Sequence, residues 1–308
     1  MTGPATHGDV PAEAAGGVPG AGAPEAPGDV LVGVDPQDFP VPALAWAADE
    51  AARRRARLRL VLALPPHEAR NAGPDHRRST ERWAGETALV AAAETVRSLR
   101  PGLPVTTALL DGRPAEVLCR LSEGAGLVVV GSRRLSRAEE FLSTGSVVVP
   151  VSARADCPVA VVGRPGHAAG GPRPLVVGVD GSAYSVAAAA FAFREAALRG
   201  TSVRALWIWR WPAVPPAEER DAVRERRRLL AGALAPLRSA HPDIEVAQEV
   251  LRGHPVEELA RASADAAAVV VGRRGRGGYT GMRLGSVVHG LLHRAECPVI
   301  TVPSKQRE

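Results

Sequence analysis

The chain has 308 residues, is 45 % hydrophobic but only 4 % aromatic, and carries a formal net charge of +5, with Lys305 its only lysine. That length suits two domains, each able to bury a core, and the aliphatic composition suits the Ala/Val/Leu interior of layered α/β folds. Arginine spread without interleaved aromatics argues against a nucleic-acid groove, no apolar run approaches the ~18 residues of a membrane span, and three unpaired cysteines, Cys119, Cys157 and Cys297, suggest neither a disulfide framework nor a zinc knuckle.

Residues 1–27 are rich in Gly, Ala and Pro, too poor in large apolar groups to order themselves and without the basic and apolar regions of a signal peptide. They read as a disordered leader on a cytoplasmic chain. Val30 to Asp35 then predicts a short buried strand ending in an acid, Ala43 to Arg57 a helix with Leu44, Ala47, Ala48 and Ala51 on one face, and Leu58 to Leu64 a second strand. A helix over Thr80 to Leu99, a strand over Val105 to Leu110, a turn at Asp111 to Pro114 and a helix over Ala115 to Ser122 follow. Leu127 to Val130 is the next strand, Gly131 to Ser146 a helix, and Val159 to Val162 the last strand of this series.

Residues 164–173, Gly/Pro-rich and without apolar period, are the expected linker between a first domain at 28–163 and a second at 174–304. Beyond it the series repeats. Leu175 to Asp180 answers Val30 to Asp35, Leu251 to Pro255 answers Leu110 to Pro114, Val269 to Gly272 answers Val128 to Gly131, and Cys297-Pro298-Val299 answers Cys157-Pro158-Val159. Four landmarks at an offset near 140 to 145 mark a duplication. Strands alternating with helices predict an α/β fold in each copy, a parallel sheet covered on both faces. A ligand then sits at the carboxyl ends of the strands where their order reverses, which brings Asp180 beside Gly272. The last strands, Val159 to Val162 and Val299 to Val302, are expected to pack together into an internal pseudo-dimer, because an unpaired apolar edge invites pairing; a homodimer of whole chains stays open.

The densest chemistry lies from Val269 to Ser286. An apolar strand runs into a loop of glycine and arginine, and Gly285-Ser286 then opens a helix through Val287, Val288, Leu291 and Leu292. The first turn of a helix has unpaired N–H groups and a partial positive charge, so it can hold a phosphate. Gly272, Gly275 and Gly285 let the backbone approach such a ligand, Ser286 can add a hydroxyl, and Arg273, Arg274, Arg276 and Arg283 supply positive charge. Neither the Walker pattern nor Gly-x-Gly-x-x-Gly fits.

The spacing Gly272, two residues, Gly275, nine residues, Gly285-Ser286 resembles the ATP-binding signature of the universal stress protein family, and the resemblance covers both copies, from Asp29 to Pro303. It implies a tandem member of that family, with five strands in the order 3-2-1-4-5 in each doubly wound copy. The implied ligand is ATP, with Mg²⁺ accompanying the phosphates although no carboxylate set is dedicated to it. Val179-Asp180-Gly181-Ser182 looks like the family's first-strand motif, whose acid contacts the nucleoside, and Gly253-His254-Pro255 like its Gly-x-Pro turn near the site. Read from the residues alone, Asp180 and Ser182 can equally cap the helix that follows, and the histidine turn can be purely structural.

The first copy keeps Asp35, Gly131, Gly145 and Ser146, but Pro36-Gln37 replaces Gly181-Ser182 and Arg134 takes the place of the second glycine in a loop one residue longer. This copy is expected to bind ATP weakly or not at all. Trp207, Trp209 and Trp211 alternate along a strand and so share one side; burial under a helix is the default, stacking against adenine the alternative. Glu218 to Arg228 reads as a solvated charged face, and His289 with His293 as a pair lacking a third metal ligand. The chain therefore reads as an ATP-binding regulator of stress responses that acts through an unidentified protein partner and is not an enzyme. Its rivals are a slow ATPase, for which the motif loop has no acid or glutamine to orient water, and an interaction scaffold without nucleotide.

Overall fold

The computed structural model describes residues 28–37, 39, 41–66, 74–132, 147–163, 173–210, 219–276 and 284–304. Short runs of Val, Leu and Ala form ten strands. In the first repeat these are β1 (Asp29–Gly33), β2 (Leu58–Leu64), β3 (Val105–Asp111), β4 (Ala125–Gly131) and β5 (Val159–Val162). The second contributes β6 (Leu175–Gly178), β7 (Val203–Trp209), β8 (Val246–Arg252), β9 (Ala268–Gly272) and β10 (Val299–Val302). All ten join one sheet in the order β3-β2-β1-β4-β5-β10-β9-β6-β7-β8, so each repeat runs 3-2-1-4-5. Neighbours are parallel except at the centre, where β5 and β10 pair antiparallel with Val161 opposite Val299 and Val159 opposite Thr301.

The helices described between them are α1 (Val41–Arg54), α2 (Pro74–Leu99), α3 (Pro114–Leu121) and α4 (Val148–Arg154), then α5 (Ala183–Arg199), α6 (Glu219–Ala240), α7 (Pro255–Ser263) and α8 (Ser286–Arg294). Strands covered on both faces need apolar side chains at every position, which is why β4 and β9 are unbroken Val/Leu runs. On one face a core runs without interruption through both repeats beneath α1, α2, α5 and α6, including Val32, Val129, Val177 and Val270. The other face has two separate cores, one under α3 and α4 around Val128 and Leu118, one under α7 and α8 around Val269 and Leu259.

Small serine hydroxyls tie the two copies together internally in the same way. Ser122 Oγ accepts from Asp156 N at 2.9 Å in the first repeat, and Ser263 Oγ accepts from Glu296 N at 2.8 Å in the second, each anchoring the loop before the last strand. Some expected boundaries move. Strand β3 continues through Asp111, with Gly112 taking the turn at φ 136°, and α1 stops at Arg54 because Arg55 adopts a left-handed φ of 52°. Of the helix expected from Gly131 to Ser146, Gly131 closes β4 and residues 133–146 lie outside the described residues; a further short helix opens at Val148. The leader 1–27 and the linker segment 164–172 also lie outside them. Among the described residues no helix is long and apolar enough to cross a membrane.

Candidate functional site

Strands β6 and β9 are parallel neighbours with Val177 opposite Val270, so the loops leaving their carboxyl ends meet. The first loop folds on itself. Asp180 Oδ1 accepts from Ser182 N at 2.9 Å and from Ser182 Oγ at 2.6 Å, while Ser182 Oγ accepts from Ser185 N at 3.2 Å and so caps α5. Gly181 sits at φ 80°, a conformation that favours glycine, and a Cβ there would also meet the Trp207 ring at 3.1 Å. Val179 is buried in the core behind them.

The second loop is fastened to the first. Asp180 Oδ2 accepts from Arg276 N at 2.9 Å, and the Arg276 guanidinium reaches the Asp180 carbonyl oxygen at 3.5 Å. A Cβ on Gly275 would lie 2.5 Å from Asp180 Oδ2, and one on Gly272 would lie 2.7 Å from the Tyr184 backbone. These glycines are therefore required by neighbouring protein atoms before any ligand enters. Burial, the largest single influence on Asp180, acts to raise its pKa; the hydrogen bonds from Ser182, Arg276 and Ser185 together outweigh it and hold the group below the usual carboxylate value. A carboxylate has about four acceptor positions. Donors within the protein already engage most of them, so a ligand would meet an acid largely satisfied before it arrives.

Gly285 N donates to Arg273 O at 2.9 Å, which draws the start of α8 toward the loop after β9. Gly285 is the N-cap of α8 at φ −70°, ψ 150°, with no side-chain cap bond, and Ser286 behind it is exposed. The N–H groups of Ser286, Val287 and Val288 have no acceptor within the helix, the arrangement that suits an anion. Arg274 is half-buried in the same loop.

Beside Asp180 opens a cleft of about 350 Å³ lined by Trp207, Trp209, Glu225, Arg226, Leu229 and Arg276. Trp207 and Trp209 face the same side of β7 and are each 7 % exposed, so their bodies belong to the core while their edges floor the cleft. The Arg226 guanidinium lies 4.1 Å over the Trp209 ring. The charged run on α6 is thus not only a solvated face: it sends Glu225 and Arg226 to the cleft. Ala222, Arg226, Leu229 and Leu230 recur at helical spacing, and that period was the signal in the sequence.

Other residues singled out from the sequence fall elsewhere. The Arg273 guanidinium donates to Ala155 O at the end of α4, tying the second repeat to the first rather than charging the loop, and burial pushes its pKa down. Gly253 follows β8 with its N–H on Trp209 O at 3.1 Å and does not line the cleft. His254 Nδ1 accepts from Val256 N at 3.3 Å as the cap of α7. His289 and His293 stack edge to face with ring centres 5.1 Å apart, and among the described residues no three His, Cys, Asp or Glu side chains gather as a metal site. In the first repeat, Asp35 is exposed with Oδ1 accepting from Gln37 N at 2.8 Å, and Gly131 ends β4. Arg134, Gly145, Ser146, Trp211 and Arg283 lie outside the described residues.

Comparison with known proteins places this geometry in company. A sequence profile of the Universal stress protein family matches residues 28–163 and again 172–303. A universal stress protein of Mycobacterium tuberculosis is 36 % identical over 289 residues, covering 88 % of this chain and 95 % of its own. One from Mycolicibacterium smegmatis is 35 % identical over 286 residues, covering 89 % of this chain and 96 % of its own. Among solved structures, a universal stress protein from Archaeoglobus fulgidus superposes with a TM-score of 0.70 at 17 % identity, over 91 % of this chain and 98 % of that one, which shows a shared fold.

Proposed function

The chain belongs to the universal stress protein family as a tandem of two repeats, and from that premise we propose that its second repeat binds an adenine nucleotide, ATP with Mg²⁺, while the first serves mainly as its structural partner. The observation that carries this reading is the link between Asp180 Oδ2 and Arg276 N, which fastens the glycine loop after β9 over the end of β6 beside a tryptophan-floored cleft. The base would lie in the cleft against Trp209, and the ribose would lie beside Asp180, with Val179, Gly181 and Ser182 shaping that turn. The phosphates would lie over the start of α8, near Gly272, Arg274, Gly275, Gly285, Ser286 and Val287. Gly253 supports this site from the next strand end.

Mg²⁺ would arrive on the phosphates, because no dedicated carboxylate group gathers among the described residues. The stretch from Gly272 to Ser286 contains no Asp, Glu or Gln to orient an attacking water, so binding rather than hydrolysis is the chemistry it favours. Occupancy can bias the protein toward one set of contacts only through unequal affinity for two states, and the reading is of a cytoplasmic regulator that presents such a state to a protein partner. Mass spectrometry of small molecules released from the denatured, purified full chain tests the proposal, with calorimetric titration of the same protein by ATP-Mg²⁺. Released adenine nucleotide or a saturable titration is the expected result. A chain that carries none, gives no heat and shows no thermal shift would leave a scaffold without nucleotide.

A further inference from the structure

Helix α5 begins beside Asp180 and ends at the boundary between the repeats, where it meets α1. Four ionisable side chains fill that contact: Glu50 and Arg54 from α1, Glu195 and Arg199 from α5, each carboxyl one helical turn ahead of its arginine. Glu50 is 0 % exposed and Glu195 1 %. The pairs cross between repeats, with Arg54 Nη2 donating to Glu195 Oε1 and Arg199 Nη2 to Glu50 Oε2. The Phe191 ring lies 5.7 Å from the Arg54 guanidinium and the Trp46 ring 5.5 Å from that of Arg199, closing the sides of the joint.

The quartet is symmetric in sequence but not in its hydrogen bonds. Glu50 uses both oxygens: Oε1 accepts from Arg54 Nε at 3.0 Å, and Oε2 accepts from Arg199 and from Arg53 Nη1 at 3.4 Å. Glu195 Oε2 is buried and accepts from no donor among the described residues, with Arg199 Nε 3.6 Å away. A buried carboxylate oxygen without a donor is costly, and two carboxylates sharing one dry site cannot both ionise cheaply. A proton on Glu195 removes both problems, since the orphan oxygen then carries a hydrogen that neighbouring Glu50 can accept.

We propose that Glu195 holds a proton, shared with Glu50, at neutral and lower pH, and that its loss loosens α1 from α5 and so unlocks the joint between the two repeats. Burial and then the Glu50 charge push the Glu195 carboxyl up to about 7. Burial also acts to raise Glu50, but Arg199, the hydrogen bond with Glu195, Arg54 and Arg53 outweigh it and keep Glu50 low. Among the described residues, the charges that act on Glu195 are those of the quartet itself, Glu50, Arg54 and Arg199. Strands β4, β5, β6, β9 and β10 contain no ionisable residue. Asp29 of β1 is held by Arg57 and Arg204 of β7 by Glu249. Arg59 of β2 is half-buried, as is His241, which stacks on Phe193 after α6. Asp49 of α1 pairs with Arg100, and the described charges of α2 and α6 are exposed apart from Arg226 over Trp209.

Because the folded state binds this proton more tightly than the unfolded chain, folding stability falls as pH rises from the ordinary carboxyl range to about 7 and then levels. Thermal unfolding of the full chain from about pH 5 to pH 9, wild type beside Glu195→Gln, tests this. The amide imitates the protonated acid, so the wild-type melting temperature should drop relative to the variant between these limits, and the protection of amide hydrogens in the last turns of α1 and α5, taken relative to intrinsic exchange at each pH, should fall above neutrality in the wild type only. Parallel melting profiles would overturn the proposal. Should Glu195→Gln not fold, infrared spectra of wild-type protein labelled at glutamate carboxyls decide instead: a protonated-acid band that vanishes on passing from about pH 6 to pH 8 supports the lock, and its absence at pH 6 refutes it.

Discussion

Replacing Gly275 by alanine is the sharpest test of the link between the two site loops. The new methyl would lie 2.5 Å from Asp180 Oδ2 and 3.7 Å from Cγ. Asp180 cannot step aside, because Ser182 N and Oγ hold its other oxygen at 2.9 and 2.6 Å. What gives way is the bond from Arg276 N, and with it the position of the loop. A hydrogen bond to a charged group contributes about 1.5–3 kcal/mol. At about 1.4 kcal/mol per factor of ten, that loss corresponds to a roughly 10- to 150-fold rise in Kd for ATP-Mg²⁺. The melting temperature should fall by about 2–4 °C for each kcal/mol. Calorimetric titration and thermal unfolding of the same full-length variant read both effects. Gly232→Ala is the control: that exposed glycine of α6 has nothing within 4 Å of an added Cβ, so alanine should stabilise by up to ~1 kcal/mol and leave affinity unchanged. A Gly275→Ala protein with wild-type melting and wild-type affinity would refute the link. Lowered melting with unchanged affinity would keep the link and remove this loop from nucleotide binding.

Three further outcomes follow from the same geometry. Asp180→Asn should lower stability at neutral pH, and because the carboxyl is held below its ordinary 3.8, its contribution is complete above that value and lost as pH falls through the lower folded value; the wild-type advantage should stay constant from about pH 7 to about pH 4 and shrink only below that, and an advantage that fades between about pH 7 and pH 5 would count against it. Trp209→Ala should weaken ATP-Mg²⁺ binding by about 1–3 kcal/mol, the usual worth of a base stacked on an aromatic ring, and ATP should quench wild-type tryptophan fluorescence; an unchanged Kd would put the base elsewhere. Arg55→Gly should stabilise by up to about 1 kcal/mol in chemical denaturation, since Arg55 at φ 52° occupies the left-handed position that Gly200 takes at φ 62° in the second repeat, and a loss of stability would show that the arginine makes compensating contacts.

The duplication and the convergence of the loops after β6 and β9 were legible because they depend on period and chain order, whereas the strand order within each copy came with the family resemblance. Side-chain partners across elements were not. Nothing in the run Arg273-Arg274-Gly275-Arg276 tells which guanidinium turns inward, yet Arg273 reaches the end of α4 in the other repeat while Arg276 lends its backbone N–H to Asp180. Gly275 reads as room for a phosphate, and the structure gives it a nearer reason in Asp180 itself. Glu50-x-x-x-Arg54 and Glu195-x-x-x-Arg199 look like ordinary surface pairs, each a favourable i, i+4 spacing. Only their recurrence 145 residues apart, on helices that the antiparallel β5 and β10 bring face to face, turns two surface pairs into one buried joint.

The two repeats keep their scaffold and differ in their sites, and the differences are ones of backbone reach. Ser122 and Ser263 brace equivalent loops, and Cys157 and Cys297 are thiols pushed up to about 12 by burial in equivalent places. At the end of β1, however, Pro36 stands where Gly181 stands after β6, and a proline ring fixes φ near −65° where Gly181 needs 80°. Asp35 therefore keeps the short turn to Gln37 N, but the chain leaves that turn in another direction. By strand register Leu62 and Leu64 of β2 occupy the positions of Trp207 and Trp209, so the flat wall of the cleft has no counterpart there. At these positions the first repeat has neither the left-handed turn nor the rings of the second, whereas each repeat gives one helix with the same Glu-x-x-x-Arg spacing to the joint between them.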